Sequence, residues 1–227
     1  MAQILILSTA TDSLGSTGKS TGVWYEELTT PYYAFTDAGH DVTLVTLGGR
    51  PVPIDPNSDL SGDDAPASVN RFRNDPAATA LLSKPGKLED QKVSDYDAVY
   101  IPGGHGAMWD LAESDLVATF LGRAWDAGKV VASVCHGPAA FSKVRDANGD
   151  PIVKGRKVSA FTDSEENAVG LADAVPFLLE TRLRELGAVF EGVADWQPHS
   201  VADGKLVTGQ NPASSEGAAQ KVLAQLR

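Results

Sequence analysis

The sequence has very little sulfur and no excess of positive charge. Its single cysteine, Cys135, rules out a disulfide framework within the chain. Acidic residues outnumber basic ones by 30 to 19, and the resulting net charge of −11 disfavours nucleic acid or an anionic membrane as a partner. No basic segment followed by a long apolar stretch opens the chain, and no window resembles a membrane span. We therefore expect a soluble, cytoplasmic protein that acts on small molecules or on other proteins.

The pattern of apolar residues predicts one α/β domain. With 227 residues, 42% of them hydrophobic, the chain can bury one large core. Short apolar runs, predicted as strands, alternate with helical patterns. The strands are predicted at residues 4–7, 42–46, 98–101, 130–134, 188–193 and 205–208, and the helices at residues 23–38, 115–127, 171–186 and 213–226. This alternation predicts a doubly wound, mostly parallel sheet sandwiched by helices, with Pro31 kinking or dividing the first helix.

Residues 48–95 differ in composition from the rest of the chain. They contain six prolines and many Asp, Asn and Ser residues. A segment of this length is too long for a simple connection between two elements. We therefore predict an insertion within a single domain that spans residues 1–227. The insertion is expected either to cover the edge that carries the active site or to form a surface excursion.

Cys135 follows the predicted strand 130–134 directly. A buried strand that turns abruptly into a helix presents its corner residue at the carboxyl edge of the sheet, where the helix N-terminus favours negative charge. Ser133 and Gly137, two positions away on either side, are as small as such a nucleophile elbow requires. A thiol at this corner should ionise easily. The local sequence fits a nucleophile and an inert, buried cysteine about equally well.

A glycine-rich segment, residues 103–106, follows the predicted strand 98–101 and reaches the same edge. Its backbone N–H groups could stabilise an oxyanion together with that of His136. The candidate oxyanion and substrate-binding residues are Gly104, His105 and His136. An ordinary strand-to-helix turn explains the glycines equally well.

Two further patterns do not indicate a ligand site. Residues 18–20, Gly-Lys-Ser, match the end of a P-loop, but Ser13 stands where its first glycine would be. The histidines show no metal-ligand spacing with one another or with Cys135. We therefore expect no metal site and no organic cofactor. The four histidines are His40, His105, His136 and His199.

Four segments together resemble the ThiJ/PfpI superfamily, which has a class I glutamine amidotransferase-like fold. These segments are residues 103–106, 132–139, 161–166 and 206–214. Residues 21–27, 211–214 and the long insertion are similar to its heat-shock-protein-31-like branch. The resemblance implies a flavodoxin-like fold and, commonly, a homodimer. It also implies a glutathione-independent glyoxalase (glyoxalase III), which converts methylglyoxal and related 2-oxoaldehydes to 2-hydroxy acids.

The same resemblance assigns catalytic residues. Cys135 matches the nucleophile and His136 its neighbour. Glu166 matches the acid that orients the histidine, but the adjacent Glu165 would take that place if the register slipped by one residue. The class I glutamine amidotransferases share the elbow, yet no histidine of this chain is followed two residues later by Glu, which disfavours amidotransfer.

Glu26 and Glu27 lie near the start of the predicted helix 23–38. Taken alone, acids in a first helical turn complement the helix dipole and are solvated. The resemblance assigns Glu27 as a buried acid that faces the thiol, because of its spacing from residues 21–22. Next to Cys135 such an acid would have a raised pKa and would share a proton with the thiol.

Three kinds of function stay open at this stage. The first is the glyoxalase, with a small aldehyde as substrate. The second is a stress-response holding chaperone or protein deglycase, and the third is a cysteine peptidase or amidohydrolase. An acid facing the thiol favours proton transfer on a small aldehyde, whereas a peptidase would need an open cleft.

Overall fold

The computed structural model describes residues 1–226, and a large sheet forms its centre. The strands are β1 (Gln3–Leu7), β2 (Asp41–Thr46), β3 (Gly86–Lys87), β4 (Ala98–Ile101), β5 (Val130–Val134), β6 (Lys157–Val158), β7 (Val189–Phe190), β8 (Ser200–Asp203) and β9 (Leu206–Gly209). Seven of them form the central sheet in the order β3-β2-β1-β4-β5-β9-β8, in which β8 alone runs antiparallel to its neighbour. The other two, β6 and β7, pair separately.

Helices pack on both faces of this sheet. They are α1 (Tyr25–Asp37), α2 (Ala67–Arg73), α3 (Pro76–Ser83), α4 (Asp110–Glu113), α5 (Asp115–Asp126), α6 (Asp163–Ala168), α7 (Leu179–Glu185) and α8 (Ser215–Gln225). Phe35 of α1 and Val222 of α8 pack on one face, and Phe120 and Leu121 of α5 pack on the other. Among residues 1–226, no helix has the length and apolar character needed to cross a membrane.

Strand β1 shows why the strands at the centre of the sheet carry apolar residues on both faces. Successive side chains of a strand point to opposite faces of the sheet. Ile4 and Ile6 therefore enter the core beneath α1 and α8, while Leu5 and Leu7 enter the core beneath α5. A strand covered on both faces has no polar side, as expected for a mostly parallel sheet. The predicted α/β sandwich is confirmed.

The predicted elements differ from the structure mainly in the last third of the chain. The helix predicted at 171–186 is wrong in its first half, where residues 171–178 form turns and bends, because Pro176 has no N–H group to donate within a helix. Of the strand predicted at 188–193, only the two residues of β7 form a strand, and β7 lies outside the central sheet. Pro31 does not divide α1, whose apolar face stays packed to its end.

The insertion packs against α1. Phe72 of α2 contacts the rings of Tyr25 and Tyr32, with ring centroids 5.9 and 5.4 Å away. Further along, the backbone N–H of Val23 donates to Pro53 at 2.9 Å, so this part of the insertion runs beside the start of α1. Asp55, which follows, is thereby placed close to the carboxyl edge of the sheet.

Strand β5 ends in a sharp turn at Cys135. The φ angle of Cys135 is +57°, a left-handed conformation that residues other than glycine rarely adopt. Gly137 makes the turn feasible, because a Cβ atom there would lie 2.3 Å from Oγ of Ser133 and 2.5 Å from the carbonyl oxygen of Ile101. A five-residue 3₁₀ helix, Gly137–Phe141, follows in place of an α-helix. The predicted elbow after a central strand is present.

We expect Gly137→Ala to destabilise the protein by about 2 kcal/mol, because the added methyl group meets a backbone oxygen of β4 that has little freedom to move. Gly217→Ala in α8 is the matched control, since its Cβ would meet only the end of the Ser200 side chain. Urea unfolding of both variants measures the difference. Equal unfolding free energies for Gly137→Ala and the wild type would contradict this account of the turn.

Candidate active site

The residues predicted for the site meet at the carboxyl edge of the central sheet. Because β4 and β5 are parallel neighbours, the segments that follow them lie side by side. The α1 and α6 helices add one acid each, and every residue of the set is buried. The set comprises Glu27 on α1, Gly104 and His105 after β4, Cys135 and His136 after β5, and Glu166 on α6.

Cys135, His136 and Glu166 form a hydrogen-bonded row. Sγ of Cys135 lies 3.3 Å from Nδ1 of His136, and Nε2 of His136 lies 2.7 Å from Oε2 of Glu166. Burial, with an electrostatic effect of the neighbouring His105 ring adding to it, lowers the pKa of His136 to about 4. Burial would raise the pKa of Glu166, but hydrogen bonds from both imidazoles outweigh it and hold that pKa at about 2. At pH 7 a neutral His136 therefore donates its Nε2–H to Glu166 and offers Nδ1 to the thiol proton.

His105 shares the Glu166 carboxylate with His136. Its Nε2 lies 2.9 Å from Oε1 of Glu166, and the two imidazole rings are 3.9 Å apart. Potential ligand atoms of the three side chains lie within 4.8 Å of one another, so this group could hold a metal ion. Spacing along the chain gave no sign of this group, because the adjacent ends of β4 and β5 bring together residues that are far apart in sequence. The expectation of no metal site stays a prediction.

Glu27 is fully buried beside the thiol. Its Oε2 accepts the N–H of Gly103 at 2.7 Å, and its Oε1 has no hydrogen-bond partner among residues 1–226. Burial raises the pKa of Glu27 well above its usual range, although the interaction with the Cys135 thiol offsets part of this rise. The neighbouring Glu26 is only half-buried, so the structure singles out Glu27 as the acid next to the cysteine.

The thiol of Cys135 does not have the lowered pKa that its position after a strand predicted. Burial, and then the charge of Glu27, raise the pKa of Cys135 well above its ordinary value. The residue is only 3% exposed, the charge that acts most strongly on its thiol is that of Glu27, and the 3₁₀ helix that follows is short. The expectation of easy ionisation is wrong for the resting site, and a nearby base must take the proton.

The Gly104 backbone N–H interacts with the thiol of Cys135 and is the group that lowers its pKa. Gly104 has φ +97°, and a Cβ atom there would lie 2.2 Å from the carbonyl oxygen of Gly22. Only glycine lets the loop after β4 approach the start of α1 so closely. A backbone donor is therefore fixed next to the sulfur, where the sequence predicted an oxyanion-binding group.

A pocket of about 290 Å³ opens above Cys135 and His136. Its walls are mainly apolar, and they include Trp24, Phe161, Val169, Trp196 and Pro212. A second chamber of about 410 Å³ adjoins it and is bordered by Asp55 and Asn57 of the insertion. Phe161 and Pro212 lie in motifs that the sequence singled out, whereas no sequence signal pointed to Trp196.

Glu165 forms no hydrogen bond with His136 and has other partners. Its Oε2 accepts the backbone N–H of Thr162 at 3.0 Å, which completes a capping box at the start of α6. Its Oε1 accepts the backbone N–H of Trp196 at 2.9 Å. Consecutive helix residues point in different directions. Of the two adjacent acids, the structure therefore brings Glu166 to the histidine.

Sequence comparison shows which known proteins this chain resembles. A model of the DJ-1/PfpI family matches residues 21–225. The chain is 30% identical over 233 residues to Glyoxalase 3 of Candida albicans, covering 97% of this chain and 96% of that protein. It is 29% identical over 234 residues to the glutathione-independent glyoxalase HSP31 of Saccharomyces cerevisiae, covering 99% and 97%.

Solved structures show the same likeness. Rapid Encystment Protein 24 KDa of Francisella tularensis superposes with a TM-score of 0.95 at 34% identity, over 100% of both chains. Glyoxalase III from Candida albicans superposes with a TM-score of 0.88 at 28% identity, over 99% of this chain and 97% of that one. The resemblance seen in the sequence motifs is confirmed over nearly the whole chain, and this protein belongs to the DJ-1/PfpI family.

Proposed function

We propose that this protein is a glutathione-independent glyoxalase of the glyoxalase III type, which converts methylglyoxal and related 2-oxoaldehydes to 2-hydroxy acids. The observation that carries the proposal is Glu27, a fully buried acid beside the only thiol, with one carboxyl oxygen unpartnered among residues 1–226. Burial raises its pKa well above the usual range, so this carboxyl group holds a proton more readily than an exposed one. Such a group can take a proton from carbon and return it. The glyoxalase names of relatives that align over the whole chain support the same function.

The proposed reaction begins with the thiol of Cys135. Nδ1 of His136, 3.3 Å from Sγ, accepts the thiol proton, and the sulfur forms a bond to the aldehyde carbon. The aldehyde oxygen gains negative charge during this step, and the backbone N–H of Gly104 is placed to donate to it. His136 then returns the proton to that oxygen, which gives a hemithioacetal. Glu166 keeps the His136 ring in the required orientation.

The second stage moves one proton between adjacent carbon atoms. The Glu27 carboxylate removes the proton from the former aldehyde carbon, and His136 carries the hydroxyl proton of the hemithioacetal to the ketone oxygen, which gives an ionised enediol. Glu27 then delivers its proton to the former ketone carbon, and the oxygen on the former aldehyde carbon becomes the carbonyl oxygen of a thioester. The aldehyde carbon is thereby oxidised to a thioester while its neighbour is reduced to an alcohol, so no external electron acceptor is needed. Water then attacks the thioester with His136 as the base. The products are the 2-hydroxy acid and the free thiol of Cys135.

The pocket favours this reaction over a peptidase function. A cavity of about 290 Å³ above a nearly buried thiol suits a small aldehyde, whereas a peptide chain would need an open groove. The chaperone and deglycase functions, like the homodimer, stay predictions that rest on the family resemblance.

With methylglyoxal, and with no glutathione or metal added, we expect the purified protein to form lactate of one hand, because one fixed carboxyl group delivers the proton to one face of the enediol. Cys135→Ala should abolish the activity, since no hemithioacetal can form. Glu27→Gln should lower kcat about 1000-fold with a much smaller change in KM. Chiral chromatography of the lactate measures all three results.

The control for this experiment is Glu26→Gln, one residue away on the same helix, which should retain the wild-type rate. Lactate formation by Glu27→Gln at the wild-type rate would assign the proton transfer to another residue. A wild-type protein that forms no lactate but suppresses the heat aggregation of a client protein would favour the chaperone function.

The charge of Glu27 also sets the pH dependence of thiol reactivity. Because the negative charge of Glu27 raises the pKa of Cys135, its removal in Glu27→Gln should lower that pKa. The midpoint of the rate of alkylation by iodoacetamide, plotted against pH, should therefore move to lower pH. Mass spectrometry gives the rate unambiguously, since Cys135 is the only cysteine. An unchanged or higher midpoint would contradict the electrostatic coupling.

Replacement of Glu166 tests the orientation of His136. We expect Glu166→Gln to lower kcat roughly 100-fold while the fold is kept, a smaller loss than for Glu27→Gln, because an orienting group acts through the histidine. Asp163→Asn is the matched control on α6, since the Asp163 side chain bonds to Thr181 away from the pocket. Near-normal turnover by Glu166→Gln would remove Glu166 from the proposed mechanism.

A further inference from the structure

Trp196 forms a wall of the pocket and has an unusual backbone conformation. It lies in the loop 191–199, between β7 and β8, which contains no regular secondary structure. Its φ angle is +65°, in the left-handed region that a bulky residue rarely occupies. The ring lines the pocket above Cys135, with its centroid 5.9 Å from that of Phe161, and the residue is 48% exposed. Packing alone therefore does not fix Trp196, and its position depends on hydrogen bonds to the loop.

Glu165 supplies the central contact to this loop. The residue is fully buried, and its carboxyl group accepts five hydrogen bonds. One comes from the backbone N–H of Trp196 at 2.9 Å, and two come from the side-chain amides of Gln210 and Asn211 at 3.2 and 2.9 Å. The other two come from Thr162. No basic side chain within residues 1–226 forms an ion pair with Glu165, so these donors are its partners.

The amides that contact Glu165 bind the same loop at two further points. Gln210 accepts the N–H of Val193 through Oε1 at 2.8 Å. Asn211 donates to the carbonyl oxygen of Gln197 at 2.9 Å through Nδ2, the atom that also donates to Glu165. The loop is thus attached on both sides of Trp196, and Glu165 is the acceptor common to the attachments.

A glutamine at position 165 could not replace this carboxyl group. Its side chain offers one acceptor oxygen and one NH₂ group. If the amide oxygen accepted the N–H of Trp196, the NH₂ group would face the N–H of Thr162. In the opposite orientation, the NH₂ group would face the N–H of Trp196. Either way, a buried donor would lose its acceptor and meet another donor.

We propose that Glu165 is a positioning residue that fixes the Trp196 wall and thereby determines which aldehyde side chains the pocket accepts. This inference rests on the proposed glyoxalase function. Aldehydes with a large apolar or aromatic side chain reach the wall and depend on it, whereas methylglyoxal, with a single methyl group, depends on it little. Glu165 and Glu166 thus serve different purposes from adjacent positions of one short helix, the former in substrate selection and the latter at His136.

A double-mutant cycle with two aldehydes tests this proposal. We expect both Trp196→Ala and Glu165→Gln to raise KM for phenylglyoxal about tenfold, the size of one lost aromatic contact, and to raise KM for methylglyoxal less than about threefold. The double variant should match Trp196→Ala alone, because Glu165 acts through Trp196. Asp163→Asn, on the same helix, should leave both KM values unchanged.

A second measurement requires no substrate. The difference between the fluorescence of the wild type and that of Trp196→Phe isolates Trp196 from the other three tryptophans. When the same difference is measured between Glu165→Gln and the Glu165→Gln, Trp196→Phe double variant, acrylamide should quench the Trp196 emission more strongly. Gln210→Met removes the contacts of that amide and should act in the same direction, and it serves for both measurements if Glu165→Gln does not fold.

The outcomes separate the failure of this inference from failure of the proposed function. Independent, multiplying effects of Glu165→Gln and Trp196→Ala on KM would overturn the positioning role. An equal loss of kcat for both aldehydes in Glu165→Gln would also overturn it, because that loss is expected when a residue that orients His136 is replaced. If the wild type converts neither aldehyde, the glyoxalase proposal fails, and unaltered Trp196 quenching in Glu165→Gln would then overturn the positioning role on its own.

Discussion

The left-handed backbone at Cys135 is the constraint on which the rest of the site depends. Consecutive residues of an extended strand point to opposite faces, so a regular continuation of β5 would separate Cys135 from His136. The positive φ angle turns the chain so that Sγ and Nδ1 lie 3.3 Å apart in one pocket. Such a conformation costs on the order of 1–3 kcal/mol and persists only where its surroundings determine it. Here the close contacts of Gly137 with β4 and β5 provide those surroundings.

Around this turn, three buried glutamates differ in role because their neighbours differ. Glu166 lies between two imidazoles, whose hydrogen bonds keep it ionised. Glu27 has one backbone donor and lies next to a thiol, so burial dominates and its pKa rises. Glu165 has five donors and no hydrogen bond to His136, which suits a structural attachment. The same side chain thus offers a fixed anion, a proton carrier and an anchor, according to the donors that surround it.

The sequence predicted the parts of this arrangement that depend on local pattern. Strands such as β4 and β5 are short, mostly apolar runs, and the residues at their ends must meet at one edge, so Cys135 and Gly104 could be placed in advance. The contact of His105 with Glu166 was not predicted, because it joins residues 61 positions apart, and the family resemblance had assigned Glu166 to His136 alone. Trp196 also escaped prediction, since its place comes from side-chain hydrogen bonds and not from any periodicity. The first half of the predicted helix 171–186 was wrong, because the prediction followed the apolar spacing and gave too little weight to Pro176.

The nearly buried Cys135 has a consequence for oxidative damage. A sulfenic acid formed on this sulfur would ordinarily be repaired by a second cysteine that condenses with it. This chain has no second cysteine, so the resolving thiol must come from outside. With 3% of the residue exposed, that thiol must enter through the apolar pocket of about 290 Å³. Recovery from oxidation is therefore restricted to reductants small enough to follow the path of the substrate.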